Sequence, residues 1–339
     1  MNDIIKSQLN QFAFLFLFAS EFTFYLLILQ TGVVESHNSN IFQTWMLPVG
    51  GIIGIISSIF LFEKRKWFIP SVLLIQILLC EEYINSNGIE LFLFGLISGL
   101  TAPILIASID KLWLAVLALA LSYVYGTTHF DTPAIDRTSI GIFLSTVAFI
   151  ASLFSQVDYK TKTIRAVSLY SAATIFLWLL LDSALFETLS RDRVMHIWGE
   201  HMYLLNIIVS HLLGLFAAYK AREYKHNDFV MLGLFFLSYS IYAEGWQLGL
   251  SLVYPFVISY YNVTILKEFM KLSYSVLALM TLSLWVASGM GLLIAVEHTF
   301  YLAWLFLFVL FFTFISKKNI IKLTTYIKIS MPWILPSKS

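Results

Sequence analysis

Residues 92–109 read FLFGLISGLTAPILIASI, a run without a single charge. A segment of that length and composition reaches across a hydrocarbon core of about 30 Å only as a helix, rising about 1.5 Å per residue. A strand of a membrane barrel would instead alternate polar and apolar residues over about ten positions, and no such alternation is present here. Similar stretches recur along nearly the whole chain of 339 residues, of which 59% are hydrophobic and 12% charged. An average soluble domain carries about 25% charged residues. The expected fold class is therefore an all-α polytopic membrane protein, in which each segment satisfies its own backbone hydrogen bonds.

Breaks at charged or Gly/Asn/Pro-rich clusters predict twelve spans, at roughly 11–31, 43–62, 67–84, 90–109, 111–128, 138–156, 164–188, 200–219, 229–244, 247–264, 270–292 and 298–316. Two connections are short, with "DK" (110–111) and "EGWQ" (244–247) serving as whole turns. Lys and Arg accumulate in cytoplasmic loops, which tests the count. With the N-terminus inside, only Arg137, Arg191 and Arg193 of the 21 basic residues fall on the outer side. One span miscounted early would scramble that split, so both termini are expected in the cytoplasm, with the bundle in the cell (inner) membrane. The start MNDIIKSQLN lacks a secretory signal pattern, so the first helix is expected to be retained as a span.

The chain also repeats itself at an offset close to 160. "GIISSIFLFEKRKWF" (54–68) lies over "GLFAAYKAREYKHNDF" (214–229), with Gly54 on Gly214 and Glu63 on Glu223, and "VLAL" at 116–119 recurs at 276–279. Pro103 matches Pro255 if the second copy has an outer loop shorter by about eight residues. Six spans per half is an even number, so the halves would run in one direction, related by an axis along the membrane normal. The expected organisation is 1–160 as one six-helix bundle, 161–316 as a second, and 317–339 as a basic, amphipathic cytoplasmic tail.

On these features the sequence resembles the major facilitator superfamily, over about residues 10–316. That family carries a loop signature, roughly G-x-x-x-D-x-x-G-R-[RK], after the second span of each half. Here the C-terminal copy keeps Gly214 and Arg222, with Ala218 and Ala221 at the Asp and second Gly positions. The N-terminal copy keeps Gly54 and supplies "EKRK" two residues late. The G-x-x-x-G-P motif of many drug/proton antiporters is absent from "LWLAVLALALSYVYG", which argues against efflux of that type. The resemblance implies a secondary transporter, symporter or antiporter, working by alternating access as a monomer in lipid, with a small molecule or ion as substrate and no resident cofactor. Gly50 and Gly54, and Gly95 and Gly99, sit four residues apart and would let helix backbones approach closely. Pro103 and Pro255 would each remove a backbone hydrogen bond and serve gating.

Ionisable groups far from span ends mark function in a membrane protein. Glu21 lies in the middle of the first span, and Asp182, at an offset of 161, lies in the seventh. Both are candidates for proton coupling or substrate contact. His211, with Asn206 and Ser210 about one turn away, forms a second polar patch. "VMHIWGEHM" (194–202) gathers Met195, His196, Glu200, His201 and Met202, and His37, His129 and His298 also fall at outer span ends. Thioether and imidazole ligands suit Cu(I), so a transition-metal carrier is a competing reading, the metal being substrate. A third reading is a membrane haem protein or an assembly factor that does not transport. Net charge is +1 and a phosphate-cradling glycine loop is absent, so neither nucleic acid nor nucleotide chemistry is indicated. The single cysteine, Cys80, leaves no intramolecular disulfide or cysteine-based metal cluster.

Overall fold

The computed structural model describes residues 2–32, 45–61, 67–155, 167–192, 194–198, 201–221 and 227–315. The basic clusters at 62–66, 156–166 and 222–226, Arg222 among them, and the tail expected at 317–339 lie outside the described residues.

The described residues form twelve α-helices and no strands. In chain order they are α1 (Asn2–Phe24, continued as a π-helix over Tyr25–Gly32), α2 (Met46–Leu61), α3 (Phe68–Glu81) and α4 (Gly88–Ala107). Then come α5 (Leu112–Thr128), α6 (Ala134–Phe154), α7 (Leu169–Arg191) and α8 (Leu204–Lys220). The last are α9 (Asn227–Ala243), α10 (Gln247–Phe269), α11 (Tyr274–Val296) and α12 (Tyr301–Ile315). Six of them, α1 with its π turn, α4, α6, α7, α10 and α11, are long and apolar enough to cross a membrane. The others are shorter apolar helices. Large apolar side chains such as Phe12, Phe60, Leu205, Phe216 and Phe312 stand exposed on the outside of the bundle, as a helical protein embedded in a membrane requires.

Local chemistry sets the helix ends. The Asn87 side chain accepts from Ile89 N at 2.8 Å while Glu90 accepts from Asn87 N at 2.9 Å, a capping box that starts α4. Ser168 Oγ accepts from Ser171 N at the head of α7. The short turn between α9 and α10 closes through Gly245 at φ +68°, a backbone region that a side chain disfavours. The end of α1 winds into a π turn, which loosens its carbonyls from the usual partners. Arg137 on α6 is buried against it, donating from Nη1 to the Leu27 carbonyl at 2.5 Å and to Thr31 Oγ1 at 2.8 Å, while Tyr83 Oη donates to the Ile28 carbonyl. The first helix begins at Asn2, earlier than the apolar run suggests.

The packing pattern recurs six helices apart. α2 packs on α4 as α8 packs on α10; α1 meets α5 and α6 as α7 meets α11 and α12; α3 meets α6 and α4 as α9 meets α12 and α10. Contacts between the first six helices and the last six run chiefly through α2 on α11 and α5 on α8, which are again counterparts. The glycines show why α2 and α4 lie so close. A Cβ on Gly50 or Gly54 would overlap the carbonyl of Phe92 or Leu96, and one on Gly95 or Gly99 would overlap the carbonyl of Leu47 or Gly51. Gly214 on α8 meets the Phe256 carbonyl of α10 in the same way. Gly54 to Gly214 and Leu96 to Phe256 are the same step of 160 residues, without a gap. That register sets Pro255 opposite Gly95, and so corrects the pairing of Pro255 with Pro103; each proline lies inside its helix, α4 or α10.

Gly95→Ala is expected to lower the melting temperature of the detergent-solubilised protein, since overpacking a tight contact costs about 1–3 kcal/mol. Gly233→Ala, where the added methyl meets nothing within 4 Å, is expected to leave it unchanged or raise it slightly. Equal melting curves for the two variants would contradict the close approach of α2 and α4.

Candidate functional site

α1, α4 and α5 on one side, and α7, α8, α10 and α11 on the other, surround a cavity of about 240 Å³. Glu21, Asp182 and His211 all line it. Asn206 and Ser210 do not, and the hydrogen bond of His211 goes elsewhere.

Glu21 is buried on α1, and Oε1 accepts from Gln76 Nε2 of α3 at 2.9 Å. The same amide nitrogen donates to Ser145 Oγ of α6 at 3.1 Å, with the Cys80 thiol 3.7 Å from that hydroxyl. The neighbours of Glu21 in sequence play no part in holding it: Thr23 Oγ1 instead donates to Ser122 Oγ of α5 at 2.8 Å. The carboxyl group thus takes its donor from a helix far away in sequence, and that donor is itself tied to α6, as a polar group in an apolar medium requires.

Asp182 on α7 is held by two tyrosines from one face of α10. Tyr254 Oη donates to Oδ1 at 2.9 Å and Tyr261 Oη donates to Oδ2 at 2.6 Å. A third tyrosine, Tyr239 of α9, donates to the neighbouring Leu181 carbonyl at 2.7 Å. His211 on α8 places Nδ1 2.8 Å from Ser259 Oγ and stacks on Tyr123 of α5, ring centroids 4.3 Å apart and planes 8° from parallel. Asn262 Nδ2 of α10 donates to Tyr123 Oη at 2.8 Å, tying α5 to α10 across the cavity.

One end of the cavity is closed by aromatic rings. Trp198 stacks on Phe130 at 4.8 Å and meets Phe186 edge-on at 5.1 Å, and all three are buried. Beside this plug two polar contacts link the first six helices to the last six. Gln30 Nε2 of α1 donates to Glu187 Oε1 of α7 at 3.3 Å, and Arg191 Nη1 reaches Glu187 Oε2 at 2.7 Å. His196 Nε2 lies 2.8 Å from Asp131 Oδ1. The latter pair is partly exposed, so its direct contribution to stability is about 0–1 kcal/mol.

The expected histidine and methionine cluster is only partly placed by the described residues. His196 pairs with Asp131, Met195 is buried, and Met202 is 73% exposed. His129 is taken up by Tyr125 and Thr128. His37, Glu200 and the side chain of His201 lie outside the described residues. Among the described residues no group of three or more His, Cys, Asp or Glu side chains could hold a metal ion. Sequence reasoning missed Gln76, Tyr254, Tyr261, Tyr123 and Arg137. Tyr254 and Tyr261 sit seven residues apart, a spacing that puts both on one helix face and was visible in principle.

No protein-family model matches the chain, and no curated protein is similar to it in sequence.

Tyr261→Phe removes a 2.6 Å bond to a carboxylate, and bonds to charged groups contribute about 1.5–3 kcal/mol. Tyr239→Phe removes a bond to a neutral carbonyl, worth about 0.5–1.5 kcal/mol. Thermal melts followed by intrinsic fluorescence are expected to show the larger fall for Tyr261→Phe; a larger fall for Tyr239→Phe would contradict the carboxylate clamp.

Proposed function

We propose that the protein is a secondary transporter that moves a small solute across the membrane by alternating access, with all twelve helices as spans and proton coupling through Glu21. The observation that carries this reading is the cavity between the two sets of six helices, with a buried acid contributed by each set. Glu21 stands on α1 and Asp182 on its counterpart α7, and both line the cavity. A buried acid is expensive in an apolar bundle, and two on counterpart helices facing one space argue for use rather than accident.

The recurrence of helix pairs at a step of six supports two parallel repeats, as in the major facilitator superfamily that the sequence resembles. Two such halves meet along α2–α11 and α5–α8, and rocking about those contacts would open one end of the cavity while closing the other. The sealed end, with its plug of Phe130, Phe186 and Trp198, is the outer one if the basic loops are cytoplasmic. The bundle is then closed to the outside. Glu21 would take up a proton when the cavity faces one side and release it when the cavity faces the other, and its charge state would bias which end opens.

The test is a solute screen in proteoliposomes, with a trapped pH dye reporting proton movement. At least one solute is expected to drive proton flux through the wild-type protein, and Glu21→Gln is expected to abolish that flux while the variant keeps the wild-type elution profile. Undiminished flux in Glu21→Gln would sink the coupling role. A screen in which no solute moves protons or accumulates as tracer would sink transport itself.

A further inference from the structure

The carboxyl groups on the described cavity wall are Glu21 and Asp182, and among the described residues no Lys or Arg lines it. The two described arginines are engaged elsewhere: Arg137 with the Leu27, Phe130 and Thr132 carbonyls and Thr31, and Arg191 with Glu187. The one imidazole on the wall, His211, is held by Ser259 and by stacking on Tyr123. An anion entering this space would face two acids, with no Lys or Arg among the described residues of the wall to pair with it. A polyhydroxylated neutral solute would find partners in side chains such as Gln30, Thr101, Asn262 and Ser288, but most of the wall's surface is apolar and leaves further hydroxyls unpaired.

The remaining surface suits the opposite kind of molecule. The rings of Phe22, Tyr25, Tyr123, Tyr261 and Trp285 line the same space as the two acids. Tyr25 and Trp285 come from opposite sets of helices, and their ring centroids lie 5.7 Å apart. Aromatic faces attract cations, and a quaternary or protonated nitrogen on an apolar body gains from both the rings and the carboxylates. The cavity volume of about 240 Å³ lies below the range of drug-sized pockets, roughly 300–1,000 Å³, and fits a molecule of one or two rings.

Resting on the transporter reading above, we propose that the solute is a small organic cation with an aromatic or otherwise apolar body, seated between Glu21 and Asp182. Proton and cation then compete for the same carboxylates. A protonated, neutral acid no longer attracts the cation, so loading protons from one side discharges the solute, and the exchange is an antiport that runs without the fifth-span G-x-x-x-G-P motif of many drug/proton antiporters.

The purified full-length protein is titrated with tritiated 1-methyl-4-phenylpyridinium. Biphenyl-4-carboxylate, an anion of similar shape, and neutral 4-methylbiphenyl serve as competitors. Saturable binding of the cation is expected, displaced by unlabelled cation and unaffected by the anion. Glu21→Gln and Asp182→Asn are each expected to weaken it at least about tenfold, as removal of a charge-assisted contact does. Phe60→Ala, on the exposed surface, is expected to bind as wild type, and variants are compared only where their elution and melting match it. No saturable binding, equal competition by the anion, or wild-type affinity in both acid variants would overturn the cation site. A proteoliposome arm separates the two claims. Cation that binds yet is not accumulated against a proton gradient would overturn transport and leave the site standing. Accumulation of neutral or anionic solutes, but not of this cation, would do the reverse.

Discussion

A carboxyl group in the middle of an apolar bundle must find its hydrogen-bond donors on other helices, and much of this structure follows from how two such groups find theirs. Glu21 reaches Gln76, which in turn reaches Ser145, so α1, α3 and α6 are tied together by one polar chain. Asp182 takes two tyrosyl hydroxyls from α10, which fixes α7 against it. In water these contacts would trade with solvent for little net gain. In an apolar surrounding the alternative is an unpartnered polar group, so each contact specifies which helices are neighbours. Both acids are satisfied from within their own set of six helices while lining the space between the sets. On the proposed alternating-access reading, the halves would separate at one end without stripping either acid of the donors named here.

Two kinds of contact join the halves. The close lateral contact of α2 with α11 is permitted by small residues, as where Gly51 leaves room for the Trp285 indole. The contacts described at the plugged end, Phe130 on Trp198 and Phe186, Gln30 on Glu187 and Asp131 on His196, are ring and polar side-chain contacts near helix ends. Packed backbones resist separation, whereas a handful of ring and polar contacts can be exchanged for solvent at modest cost. The division suits lateral contacts that persist through a rocking motion and end contacts that form and break.

The sequence made the helical membrane class and the positions of the helices legible, because long uncharged runs admit few other structures. The small residues Gly50, Gly54, Gly95 and Gly99 were legible too: their spacing announced a tight contact, though not that α2 and α4 share it. The pairing of Pro103 with Pro255 failed because similar residues were aligned without knowing which backbones touch; the Gly54–Leu96 and Gly214–Phe256 contacts fix the register instead. Glu21 and Asp182 stood out as acids in apolar runs, but Gln76, Tyr254 and Tyr261 did not, since a glutamine or tyrosine in a membrane helix attracts little notice until its facing is known. The outer histidines are only partly placed, since His37, Glu200 and the side chain of His201 lie outside the described residues. Of that constellation the described residues bring His196 onto Asp131, an imidazole on a carboxylate, and no third such group beside them.

The central claim is that the two halves rock about their lateral contacts under the control of Glu21. Paired spin labels on the full chain in lipid nanodiscs, with Cys80 replaced by alanine, test it most directly. One pair, at the exposed positions Ile135 and Val194, spans the plugged end; another, at Lys111 and Lys271, spans the opposite end. Replacing Glu21 with glutamine mimics its protonated state, and the account predicts that the first distance then lengthens as the second shortens. Unchanged distances, or two that move in the same direction, would contradict it.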